Sequence, residues 1–202
     1  MPYIISATEI ALLIVLPLIL FYQWSNLTGK KYISDIALLY LIWFFTYACM
    51  HELSHMFGSW IMGTKILDYQ LIPPFWRGDF STAYVDSFFE NKTEAVVSLI
   101  MPYLRDIILL ITGFWFLRRR KSGNYFLTGL ILILLILSPL FDIINNYSGF
   151  IIKSYGDFKE LSLKVGIVYT NVIGSLFALT AIFITMRIFL IYRSNYLLLV
   201  KR

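Results

Sequence analysis

The sequence predicts an all-α fold, a polytopic transmembrane helix bundle of about five spans. Three observations carry that expectation: the composition, the length of the apolar blocks and the position of the cations. Of 202 residues, 59% are hydrophobic and only 14% are charged, where soluble chains carry about a quarter charged. The apolar residues fall in blocks long enough to cross a hydrocarbon core, so the lipid bilayer is the solvent to reason with. The Lys and Arg residues behind the net charge of +5 collect at the ends of those blocks, as the positive-inside rule requires. That distribution speaks against nucleic acid as a partner. The composition excludes a disordered chain, and a lone Cys49 excludes a disulfide framework.

The first block runs from about Tyr3 to Tyr22. It reads as a retained helix, because no basic segment precedes it and no small-residue cleavage site follows it. The second, from about Ile33 to Met62, exceeds the roughly 20 residues a span needs, so it must tilt, kink or emerge into the interface. The third, from about Ala95 to Leu117, contains Pro102, Arg105 and Asp106. The fourth runs from Tyr125 to about Ile144, and in it Pro139 is expected to disturb the helix and open it locally just before Asp142. The fifth runs from about Val165 to Tyr192. No repeat divides residues 1–202, which read as one domain.

Two connections are long. In residues 64–94, the runs Ile66–Ile72 and Ser81–Asp86 flank a Pro-Pro-Phe-Trp-Arg-Gly turn region. They read as a short β-hairpin or as an irregular interfacial loop. Residues 145–164 are polar and end in an amphipathic stretch, where Gly156-Asp157-Phe158-Lys159-Glu160 has the spacing of a helix N-cap with an acid at N3. With five spans, Lys30, Lys31, Arg118–Lys121, Arg193, Lys201 and Arg202 share one side, which makes the C-terminus cytoplasmic.

Ionisable groups inside a span are costly, and each is a candidate for function. His51-Glu52-Leu53-Ser54-His55 is an H-E-x-x-H sequence inside the second block, and it contains both histidines of the chain. On a helix, His51 and His55 stand one turn apart on one face, so two imidazoles can reach one ion. Glu52 lies about 100° round from His51, beside the metal, where it can act on water rather than ligate. A catalytic zinc site takes a third protein ligand and keeps one position open. Cys49 points away from the histidine face, which leaves a carboxylate: Glu9, Asp35, Asp106 or Asp142. Asp142 is the best placed of these, with Asn146 one turn further on to steady a ligand or peptide.

With H-E-L-S-H at 51–55 inside a span, the chain resembles the site-2 protease family of intramembrane zinc metalloproteases. The Gly-containing segment from Phe57 to Gly63, the span with Pro102 and the later Ser138-Pro139-Leu140-Phe141-Asp142 add to the likeness, which covers about residues 45–145. In that family an Asp of a later span completes the zinc site, usually followed by Gly; here Ile143 follows Asp142. The resemblance implies Zn2+ as cofactor and hydrolysis of a peptide bond in or near a transmembrane segment of a substrate protein, with the hairpin holding the substrate as an added strand. Two other classes remain open: a metal-binding membrane protein, transporter or sensor, without hydrolytic activity, and a structural helix bundle. Nothing in the sequence sets the oligomeric state.

Overall fold

The computed structural model describes residues 28–78, 83–119 and 125–200. Four helical segments among these are long and apolar enough to cross a membrane, and a two-stranded antiparallel hairpin follows the first of them. The chain is a polytopic helix bundle, as composition and block length predict. The expected span from about Tyr3 to Tyr22, with Glu9, lies outside the described residues, as do Arg120 and Lys121.

Helix α1 is Gly29–Ile61, 33 residues and roughly 50 Å at 1.5 Å per residue. Its buried positions are Leu39, then His51, Ser54, His55, Gly58 and Ser59. The last five recur at helical spacing and are all polar or small, while Leu53, Phe57, Trp60 and Ile61 on the other side are exposed. The final turns of α1 are therefore apolar outward and polar inward, the inverse of a soluble amphipathic helix. Strand β1 (Lys65–Gln70) pairs antiparallel with β2 (Tyr84–Phe88), with Lys65 opposite Phe88 and Gln70 opposite Tyr84. The hairpin reading holds. The second strand begins later than the expected Ser81, and residues 79–82 lie outside the described residues.

Helix α2 (Lys92–Arg119) starts from a reciprocal cap. The Glu94 amide, one of the donors a helix start leaves open, donates to Asn91 Oδ1 at 3.0 Å, and Glu94 Oε2 accepts from the amide of Glu90, just before the cap, at 2.8 Å. The next segment is continuous from α3 (Tyr125–Ile131) through a π-helical stretch (Leu132–Leu137) into α4 (Ser138–Lys153). Here the sequence expectation is corrected. Pro139 does not open the helix, which continues to Lys153. Pro139 has no N–H for the turn before it, and the chain absorbs this by widening: the Ser138 amide bonds Ile133 O, five residues back.

A short helix, α5 (Asp157–Val165), crosses to the last span, α6 (Ile167–Val200). Gly156 precedes α5 at φ +82°, a conformation open to glycine with little strain. The core lies where α2, the π stretch, α4, α5 and α6 meet, around Tyr103, Leu110, Ile133, Ile136, Ile143 and Phe158. Large apolar side chains such as Phe45, Ile108, Leu179 and Phe183 face outward. On a soluble protein so wide an apolar surface would aggregate, whereas lipid covers it at no cost.

Candidate metal centre

Three elements meet at the histidines. Gly58 lets α2 come close to α1: a Cβ there would stand 2.8 Å from Ser98 Cα. Ser59 Oγ then reaches Ser98 Oγ at 3.0 Å and Ser87 Oγ of β2 at 3.1 Å, tying α1 to both α2 and the hairpin. From the other side, Phe158 is fully buried and stacks on Tyr103 at 4.6 Å between ring centroids, which docks α5 against α2.

Each histidine is held by its Nδ1. His55 Nδ1 donates to the Ser98 carbonyl at 2.8 Å, and His51 Nδ1 donates to Asp142 Oδ2 at 2.7 Å. A carbonyl or carboxylate only accepts, so both Nδ1 atoms carry a proton and both Nε2 atoms face inward, where a neutral ring offers a lone pair. The two Nε2 atoms are 3.2 Å apart. Asp157 Oδ2 completes the triangle, 3.1 Å from His51 Nε2 and 3.2 Å from His55 Nε2. Lone pairs packed this closely repel unless a cation, a proton or a metal ion, sits among them. Tetrahedral zinc with bonds of about 2.0–2.1 Å separates its ligand atoms by about 3.3–3.4 Å, so His51, His55 and Asp157 have the spacing and the donor chemistry to hold one such ion.

The group that could hold an ion differs from the expected set at one position, with Asp157 in the place of Asp142. Asp142 is fully buried close to the histidines, but it binds the outer nitrogen of His51 instead of joining the Nε2 pair. Its other contacts fix it there: Arg105 Nη2 donates to Oδ2 at 2.8 Å, while Tyr47 at 3.0 Å and Asn146 at 2.7 Å donate to Oδ1. Asn146 therefore steadies a carboxylate, as its place one turn on suggested. Arg105 also clamps its neighbour Asp106 and reaches Ser54 Oγ at 3.1 Å, so two residues adjacent in sequence do pair.

Asp157 is not an N-cap either. Gly156 occupies that position, and its carbonyl accepts from the amides of Lys159 and Glu160. The Asp157 carboxylate is free to turn inward, where Tyr103 OH donates to Oδ2 at 2.6 Å. Burial alone would raise the Asp157 carboxyl, but the facing histidines outweigh it and hold the group well below the usual carboxylate range.

Glu52 lies half-buried beside the triangle. Together with His55 and Asp157 it lines a cavity of about 470 Å³ whose other walls come from Tyr84–Ser87 of β2, from Ser98 and Leu99, and from Glu160 and Lys164 of α5. The mixed polar lining gives water a place beside His55. Among the described residues Cys49 belongs to no cluster of ligating groups, and Asp35 lies about four and a half turns before His51 on the same helix. No protein-family model, curated protein or solved structure matches this chain.

Proposed function

We propose that this chain is an intramembrane zinc metalloprotease, a small divergent relative of the site-2 proteases, that hydrolyses a peptide bond in or near a transmembrane segment of a substrate protein. The observation that carries this reading is the convergence of His51 Nε2, His55 Nε2 and Asp157 Oδ2 beside the carboxylate of Glu52, at the wall of a polar cavity. An ion-binding protein without hydrolytic activity has no need of that fourth group.

His51, His55 and Asp157 would hold the Zn2+, which when bound would supply Lewis acidity toward water and a peptide carbonyl. The rest is done by the protein's own side chains. Asp142 and the Ser98 carbonyl keep both imidazoles in the tautomer that ligates. Glu52 accepts a proton from water and returns it to the leaving amine. Residues 29–50 of α1 by themselves reach about 33 Å at 1.5 Å per residue, the thickness of a hydrocarbon core. His51 therefore stands toward the hairpin end of the bundle, where water has the shorter path and β2 can orient an extended substrate.

The test separates binding from chemistry. Glu52→Gln keeps size and polarity but removes the base. Purified protein should keep about one zinc per chain, while cleavage of a model transmembrane substrate falls by about 10²–10⁴. Cleavage at the wild-type rate would exclude the mechanism, and wild-type protein without zinc would exclude the metal centre.

A further inference from the structure

A helix carbonyl normally accepts from the amide four residues on, and for Ser98 that residue is Pro102, which has no N–H. The carbonyl so released is the one that accepts from His55 Nδ1 at 2.8 Å. Pro102 is itself buried inside α2, and the bare Cα of Gly58, one turn after His55, allows the two helices to approach at that point.

We propose that Pro102 is a positioning residue for the metal centre: it withholds the helical donor from the Ser98 carbonyl and so reserves that oxygen for His55 Nδ1. This rests on the metal-centre reading above for its consequence, though not for its geometry. A proline inside a helix leaves one carbonyl without its amide donor, and in a bilayer that oxygen must find another partner. Here that partner is His55, and the bond fixes its proton on Nδ1. It directs the Nε2 lone pair of His55 toward His51 and Asp157, whereas the opposite tautomer would present an N–H to the ion and bar coordination. An alanine at 102 would give Ser98 its helical donor back, straighten the turn and leave the imidazole to share the oxygen.

The experiment uses the full chain in detergent micelles with 15N-labelled histidine; with two histidines in the sequence, a His51→Gln control assigns the signals. In wild-type protein without metal, His55 should show a single tautomer with the proton on Nδ1. Pro102→Ala should show a mixture, and its zinc affinity should fall about tenfold or more, the range for loss of an outer-sphere partner. Its unfolding midpoint should stay level or rise, since an internal proline has been removed. A variant with unaltered His55 signals and unaltered zinc affinity would overturn the proposal and leave Pro102 as a helix-shaping residue only. Were wild-type protein to bind no zinc, the metal reading would fall, and the tautomer spectra would still decide whether Pro102 positions His55.

Discussion

Replacing Asp157 and Asp142 one at a time by alanine tests the centre most directly, because the two carboxylates differ in which nitrogen of His51 they meet. Asp157 Oδ2 stands 3.1 Å from Nε2, whereas Asp142 Oδ2 stands 2.7 Å from Nδ1. A structural zinc site releases about 10–16 kcal/mol over four ligands, roughly 2.5–4 kcal/mol each. Losing Asp157 should therefore weaken zinc by about 10²–10³, at 1.4 kcal/mol per decade. Losing Asp142 removes a partner of a ligand, and such changes typically cost about 10–100-fold in affinity. The prediction is an order: Asp157→Ala weaker than Asp142→Ala, and both weaker than wild type. Competition against a chromophoric chelator, on purified protein in one detergent, resolves these decades. Asp142→Ala losing more zinc than Asp157→Ala would refute the ligand set and restore the Asp142 assignment that the family resemblance implies.

Phe158→Ala should detach α5 and lose zinc together with stability. The side chain is fully buried, such truncations cost about 3–5 kcal/mol, and denaturant unfolding in micelles would contradict the docking role if the change stayed under about 1 kcal/mol. Arg105→Met leaves Asp106 and Asp142 buried without their cation, a loss of about 3–5 kcal/mol. Arg105→Met with Asp106→Asn should recover part of it; a double variant no better than the single would mean that the guanidinium acts mainly through packing. For topology, single cysteines at Arg119 and Lys159, which lie beyond opposite ends of the span Phe126–Lys153, should be labelled from opposite faces. With basic-residue asymmetry putting the Arg118–Lys121 end inside, Arg119 should react only from the cytoplasmic face; the reverse pattern would refute the orientation.

What the sequence alone determines here is whatever follows from local periodicity. Apolar block length fixes a membrane bundle, because backbone groups in lipid must be satisfied within helices. The i, i+4 spacing of His51 and His55 fixes their common face, because a helix makes 3.6 residues per turn. Even the hairpin is readable, from two alternating runs around a proline turn. The choice between carboxylates is not local. Asp157 meets His51 across 106 residues of sequence, and its neighbours look like an ordinary helix start; the one hint is Gly156, able to serve as cap and free the acid beside it. Asp142 sits at the expected depth, yet Arg105, Tyr47 and Asn146 arrive from three helical faces to pull it onto Nδ1. The consequence of Pro102 is half local: its missing N–H is certain from the sequence, but that His55 stands opposite the carbonyl so freed is decided by how closely α1 and α2 pack at Gly58. Packing sets which atoms meet, and coordination chemistry depends on that meeting.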